Sequence, residues 1–397
     1  MTLRTLRDLD VRGKRVLVRE DLNVPLQRDG NTIHIADATR IDAAIPTLRR
    51  LRESGARVIV LSHLGRPGGV QNPVYSLRPV AGAHAQRLGV PVAFADDCIG
   101  EEARKAAAIL HDGDVLLLEN VRFHPGEERN DPAFARQLAA LGDCYVNDAF
   151  GTAHRAHAST EALAHLLPSV AGPLMEAELA ALQPLMEHPK KPYVCVIGGA
   201  KAKDKVGVFT SLMQRVDAFC IGGGMANTFL AARGIDVGRS LRDDDLSPAK
   251  EILAQAQRTG IPLHLPVDAV VATGFDADEG AHVAPIAAIG DGMILDIGPV
   301  TAAEYAAVIE PAKTIVFNGP MGVYEKPAYR SGTKAVGEAI ARATASGATS
   351  VVGGGDAAAA AHLLGFADAM THVSTGGGAT LEFLEGKTLP GVAALQS

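Results

Sequence analysis

Tryptophan is absent from this 397-residue chain, and aromatic residues of every kind make up only 4% of it. A nucleic-acid surface built by stacking bases on aromatic rings is therefore not expected. Cysteine is nearly as scarce. Cys98, Cys144, Cys195 and Cys220 are widely spaced and form no C-x-x-C pair, which reads as free, mostly buried thiols in a reducing cytoplasm. No run of eighteen or more apolar residues occurs, so a membrane span is not expected. Residues 1–13 mix Arg and Asp with Leu and lack the apolar core of a secretory signal. Positive charge is in deficit: 38 Lys and Arg face 45 Asp and Glu, a net charge of −7. Such a molecule is not drawn as a whole to DNA or anionic lipid, and any basic site must be local.

What remains is a globular composition, 47% hydrophobic and 21% charged, with 42 glycines. The length exceeds one ordinary hydrophobic core and suits two domains. Short β-branched runs alternate with Ala/Leu-rich stretches of helical period throughout. Strands are predicted at 15–19, 57–61, 115–118 and 144–147, then at 193–197, 218–221, 269–271, 314–317 and 350–352. Helices are predicted between them, for example at 38–53, 132–141 and 334–345. Continuous apolar strands alternating with helices imply parallel β-α-β units. The expected fold is α/β: two doubly wound, Rossmann-like parallel-sheet domains joined by a helical hinge. The segment 172–192 begins near one Pro and ends on another, with helix-forming sequence from about Leu174 that ends or kinks at Pro184. It reads either as an interdomain helix or as one more surface helix of the first domain.

Ligands of open parallel sheets bind beyond the carboxyl ends of the strands. In the first half those ends are polar. R-E-D-L-N-V-P supplies Asp21 and Asn23, S-H-L-G-R-P supplies His63 and Arg66, and E-N-V-R-F-H supplies Arg122. N-D-A-F-G-T-A-H-R-A-H supplies His154 and Arg155, and Arg40 opens a helix. Each alone reads as a surface or core residue. Four arginines and two histidines on one sheet edge would repel each other unless a multiply charged anion joined them through charge-assisted hydrogen bonds.

The second half has glycine-rich strand ends instead: I-G-G-A-K-A-K-D-K at 197–205, I-G-G-G-M-A-N at 221–227, F-N-G-P-M-G-V-Y-E at 317–325, V-G-G-G-D-A at 352–357 and S-T-G-G-G-A-T at 374–380. One such run merely turns the chain. Five at successive strand ends favour a nucleotide-sized polyanion facing backbone N–H groups. Lys201 and Lys205, four apart, are expected on one side of a helix entry. Asp356 is expected either to cap a helix or to hold Mg²⁺, and Glu325 either to meet a ribose or to be a solvated acid. A Walker A loop is ruled out because Leu381 stands where Gly386-Lys387-Thr388 would need glycine. The G-x-G-x-x-A stretch at 353–358 lacks a following acid at about 20 residues, which disfavours an NAD-dependent dehydrogenase.

These strings, together with L-E-N-V-R-F, D-A-F-G-T-A-H-R-A-H-A-S and G-G-G-M-A-N-T-F-L, resemble the phosphoglycerate kinase family in the family's order from about Val16 to Leu389. The resemblance implies reversible phosphoryl transfer from 1,3-bisphosphoglycerate to ADP, giving 3-phosphoglycerate and ATP. It implies an acid-substrate site of Asp21, Asn23, Arg40, His63, Arg66, Arg122 and Arg155. It implies a nucleotide site of Gly199, Lys201, Lys205, Gly223, Asn318, Pro320, Val323, Glu325, Gly354, Gly355, Asp356 and Ala357, with Mg²⁺ on Asp356. Arg40, Lys201, Lys205, Gly376 and Gly377 are the implied catalytic groups, with backbone N–H groups of 376–378 facing the phosphoryl group in flight.

The domains implied are 1–171 for the acid substrate, 172–192 as hinge, 193–380 for the nucleotide and 381–397 returning to the first domain. A cytoplasmic monomer is implied, working by in-line transfer with domain closure and no phosphoenzyme. Two positions depart from the family pattern. Glu20 stands where a small or apolar residue is usual, and its charge is expected to point away from the site. Ala357 replaces a Thr or Ser, removing a hydroxyl expected to face the phosphates. The rival reading is a non-catalytic nucleotide- or sugar-phosphate-binding protein on the same scaffold.

Overall fold

The computed structural model describes residues 3–29 and 32–396. The chain divides into two compact units, Met1–Ala180 with Thr388–Ser397, and Ala181–Lys387. The first division falls inside the helix Pro173–Glu187, which continues past Pro184. The second falls at Thr388, later than the boundary at Leu381 expected from sequence. The helix Gly378–Leu384 stays with the second unit, where Glu385 packs against Gly207.

Unit 1 is built on a six-stranded parallel sheet. Its order is Val92–Ala95, Val115–Leu118, Arg57–Leu61, Arg15–Arg19, Cys144–Asn147 and Ser169–Ala171. The inner strands are apolar on both faces because helices cover both, and Val16, Val18, Val58, Val60 and Val146 enter one core with Ile41, Leu48 and Leu51 of the helix Thr39–Glu53. The chain winds from the strand Arg15–Arg19 first toward one edge and then toward the other. The switch point therefore lies between Arg15–Arg19 and Cys144–Asn147. Residues 388–396 complete this unit: Gly391 N donates to the Ala153 carbonyl at 2.9 Å, and Leu3 bridges to Gln396.

Unit 2 repeats the plan. Its parallel order is Leu263–His264, Ala218–Ile221, Tyr193–Ile197, Thr314–Asn318, Thr349–Val352 and His372–Val373. Numbered within this sheet the order is 3-2-1-4-5-6, so the switch point falls between Tyr193–Ile197 and Thr314–Asn318. One expected parallel strand behaves otherwise. Residues 269–271 lie in Asp268–Ala272, the centre of a three-stranded antiparallel sheet with His282–Pro285 and Met293–Ile297. Ala272 and Leu295 pack there with Tyr329 in a small separate core. The apolar run is the same in either setting, and only the partners decide its direction. Among the described residues, no helix is long and apolar enough to cross a membrane.

Candidate active site

Unit 1 gathers cations beyond its switch point. Arg19, at the end of its strand, is only 1% exposed. Its guanidinium donates to Ser159 Oγ at 2.8 Å and to the Glu20 carbonyl, and its Nη2 lies 3.2 Å from His63 Nδ1. An arginine can only donate, so His63 Nδ1 accepts and a neutral ring carries its proton on Nε2. Burial holds the His63 imidazole well below its ordinary pKa, and Arg19, Arg122, Arg155 and Arg40 push the same way. That one ring feels four arginines is the physical measure of the cluster. His157 is lowered to about 3 by burial, Arg122, Arg19 and Arg155.

The surrounding turns fix these groups. Arg122 is 3% exposed, donates to the Gly65 carbonyl at 2.7 Å and meets Glu128 at 3.3 Å. Burial, then Arg155, lowers its pKa to about 10, so it remains a cation. Asn23 Oδ1 accepts the Gly65 N–H at 2.8 Å, and Asn120 ties the Leu64 and Tyr75 carbonyls together. Arg40, in the first turn of Thr39–Glu53, pairs with Asp21. Arg155 Nε lies 3.1 Å from His154 Nε2. Arg66 is exposed, outside this knot. Arg19 and Glu127, the buried acid that accepts from Ser159 N and Oγ at 2.9 and 2.6 Å, were not singled out from sequence. Only the position of Arg19 at a strand end signalled it.

Glu20 is fully buried, and neither carboxyl oxygen has a hydrogen-bond partner. Burial pushes its pKa well above the ordinary range, Asp148 and Asp21 add to this, and Arg19 opposes it. Burial therefore works against its charged form. Asp97, Cys98 and His124 bring donor atoms within 4.8 Å of one another. His124 and Asp97 already satisfy each other at 2.6 Å, and burial pushes the Cys98 thiol well up, so the trio is a closed structural knot.

In unit 2 the switch point carries a lysine. Lys205 Nζ donates to the Gly198 carbonyl at 2.8 Å and the Asn318 carbonyl at 2.6 Å, one from each side of the crevice. Burial lowers its pKa to about 8, offset in part by Cys195 and Asp356. Asn318 donates to the Gly353 carbonyl at 2.7 Å, and its Oδ1 is buried without a partner. Lys201 is exposed in the coil before the 3-10 turn Lys203–Lys205, and Lys205 ends that turn at the entry to the helix Val206–Leu212.

Beside this crevice opens a cleft of about 590 Å³, lined by Gly199, Gly223, Pro320, Val323, Glu325 and Asp356 among the expected residues. Gly223 has φ +66°, and a Cβ there would stand 2.7 Å from the Gly199 carbonyl oxygen, so only glycine lets these turns meet. Leu241, Phe275, Met293, Leu295 and Asp296 also line it and lie outside the runs singled out from sequence. Apolar residues at such positions carry no mark separating a cleft floor from a core. Asp296 accepts from Gly332 N at 2.6 Å and Ile297 N at 2.9 Å, and burial pushes it to about 8.

Asp356 is exposed in the first turn of Gly355–Leu363, and no side-chain bond caps that helix at Gly354. An exposed, uncommitted carboxylate at a cleft wall suits a cation shared with phosphates. Ala357 is 1% exposed and packs into the core. Its side chain packs inward. The Gly376 N–H donates to Ser374 Oγ at 3.1 Å and is not available as expected. Gly377, with φ +52°, precedes the helix Gly378–Leu384.

The phosphoglycerate kinase family model matches residues 6–387. Curated phosphoglycerate kinases of Chloroflexus aurantiacus and Chlorobaculum tepidum are 53% and 52% identical over 400 and 398 residues. These alignments cover 100% of this chain and 99% and 100% of those proteins. Phosphoglycerate kinase 3 of Arabidopsis thaliana, described as cytosolic, is 51% identical over 98% of this chain and 97% of its own. The structure of phosphoglycerate kinase from Coxiella burnetii superposes with a TM-score of 0.88 at 41% identity, covering 99% of both chains. That from Pyrococcus horikoshii gives 0.86 at 33%, covering 100% of this chain and 98% of the other.

Proposed function

Given that this chain belongs to the phosphoglycerate kinase family, we propose that its two strand-end sites divide one reaction between them. The chain is an enzyme that moves a phosphoryl group reversibly between 1,3-bisphosphoglycerate and ADP, with ADP and ATP as co-substrates. The arginine cluster of unit 1 takes the acid substrate through Arg40, Arg122 and Arg155, with His63, Asn23 and Asp21 positioning them and Arg66 at its rim. The cleft of unit 2 takes the nucleotide, its sugar against Val323 and Glu325, and its phosphates toward Gly199, Gly223, Asn318 and the 353–357 turn. The observation that carries this allocation is Lys205, spanning the switch-point crevice between the Gly198 and Asn318 carbonyls.

Transfer of this kind asks for positioning and charge more than covalent chemistry. The attacking ADP oxygen is already ionised, so no general base is required. Arg40 from one unit, with Lys205, Lys201 and the N–H groups at Gly377 and Gly378 from the other, offsets charge on the equatorial oxygens. Mg²⁺, when bound with the nucleotide, supplies further neutralising charge, and Asp356 would hold it. Asp356→Asn is expected to raise the Mg²⁺ concentration needed for half-maximal rate about tenfold. The assay couples 3-phosphoglycerate, ATP and Mg²⁺ to NADH loss through excess glyceraldehyde-phosphate dehydrogenase. An unchanged Mg²⁺ requirement would remove Asp356 from this role.

Substrates held on separate units must be brought together and shielded from water. Small-angle scattering is expected to give the mass of a monomer and a smaller radius of gyration with both substrates bound. An unchanged radius would rule out closure. The four free, buried thiols fit a cytoplasmic setting, and recovery of the chain from an oxidising compartment on cell fractionation would contradict it.

A further inference from the structure

The cleft of unit 2 has one wall that its strand ends do not build. The turn at 273–281 joins the antiparallel strands Asp268–Ala272 and His282–Pro285, and it carries Phe275, whose side chain lines the cleft while remaining 49% exposed. Within the turn the backbone bonds are local: Ala277 N to the Gly274 carbonyl, Gly280 N to Ala277, and Ala281 N to Asp278. At its base Arg239 donates to the Thr273 carbonyl. At its tip the turn meets Lys326 from the glycine-rich side of the cleft, and Asp278 also faces Tyr329 there.

Lys326 follows Glu325 in the loop after Thr314–Asn318, and it too lines the cleft. Its Nζ donates to the Phe275 carbonyl at 2.6 Å, Asp276 Oδ1 at 2.8 Å and Asp278 Oδ1 at 3.4 Å, and it stands 4.4 Å from the centroid of the Phe275 ring. One ammonium therefore gathers three oxygens and an aromatic face from a single turn. The lysine side chain is only 22% exposed, whereas Asp276 is 91% exposed and neither aspartate lines the cleft. An isolated surface pair contributes little. Here the cation is largely covered and its partners converge, which restricts the turn rather than merely decorating it.

We propose that Lys326 is a positioning residue for the nucleotide: it clasps the 273–281 turn and so holds Phe275 as the second wall of the cleft. The proposal rests on reading the cleft as the ADP site. Without the clasp the turn must be ordered each time nucleotide binds, and that cost falls on affinity for ADP and ATP rather than on the transfer step. Because the clasp is ionic and near the surface, salt loosens it.

The test compares Lys326→Met, Asp276→Asn/Asp278→Asn and all three together, with steady-state kinetics for both substrates. Lys326→Met is expected to raise KM for ADP about fivefold, leaving KM for 1,3-bisphosphoglycerate unmoved and kcat not lowered. The paired Asn variant replaces no residue lining the cleft, yet it is expected to give the same loss, and the triple variant no more than either. Between ~0.05 and ~0.5 M salt, KM for ADP is expected to rise more steeply in the parent than in Lys326→Met. An unchanged KM for ADP in the paired Asn variant, additive losses, or equal rises for both substrates would overturn the clasp. Photolabelling with an azido-ADP separates this from failure of the cleft reading. Label on 273–281 or 317–326 keeps the cleft, whereas label elsewhere overturns both.

Discussion

Replacing Arg40 by alanine is expected to lower kcat by about a thousandfold while leaving ADP binding to the free enzyme within about twofold. The residue sits in the first turn of Thr39–Glu53, close enough to the strand ends to pair with Asp21, and its side chain is 35% exposed. It is thus less committed to the protein than Arg19, whose guanidinium is enclosed by Ser159, the Glu20 carbonyl and His63. A cation that is anchored but not enclosed can turn to oxygens whose charge changes during transfer. Removing it deletes an interaction strongest in the transition state, so the loss should fall on kcat more than on KM. Arg40→Lys keeps the charge without the two-pronged fork and should recover only part of the rate. Calorimetric titration of ADP gives the control, because the cleft proposed for the nucleotide is lined by residues of the other unit. A near-normal kcat for Arg40→Ala would end its assignment to the reacting oxygens.

The second large effect concerns stability. Glu20→Val is expected to stabilise the protein by about 1–3 kcal/mol, seen as a rise of a few degrees in the unit 1 transition by calorimetry. The buried carboxyl makes no hydrogen bond through either oxygen, so its removal relieves desolvation without stranding a partner. The sign of the pH dependence follows from the raised pKa. The folded protein keeps the proton that the unfolded chain gives up in the ordinary carboxylate range, so stability falls as pH rises from that range through the folded pKa. Asp148, raised to about 6, and Asp296, raised to about 8, act in the same direction. Glu20→Gln, uncharged at any pH, should therefore flatten the decline of the melting temperature with pH, leaving the parts due to Asp148 and Asp296. If Glu20→Gln and the parent decline in parallel, the acid is not held protonated. A several-fold change in KM for the acid substrate in Glu20→Val would mean that its charge reaches the site.

Particular elements explain what was legible in the sequence. The strands Arg15–Arg19 and Tyr193–Ile197 were readable to the residue because central parallel strands are apolar on both faces. The two-residue edge strands Leu263–His264 and His372–Val373 were not, since so few residues carry no period. Met293–Ile297 was missed with them, as one polar position and a methionine blur its run. For the sites, chain topology delivers any residue just after a parallel strand to the ligand edge, which is why Asp21, His63, Gly199 and Asp356 could be named. Orientation is not encoded that way. The inward Ala357, the engaged Gly376 N–H and the buried Glu20 depend on which neighbours pack around them. The clasp at Lys326 depends on a turn about fifty residues away in sequence, which no local pattern connects to it.

The return of residues 388–396 to unit 1 has a consequence for synthesis. Unit 2 is one uninterrupted stretch, whereas unit 1 combines the first part of the chain with Thr388–Ser397, including Leu389 and Leu395, both buried. A ribosome adds roughly 5–20 residues per second, so the sheet that is made first waits tens of seconds for its last side chains, while the later unit has all of its own sequence before then. The order of emergence and the order of completion are therefore opposite in this protein.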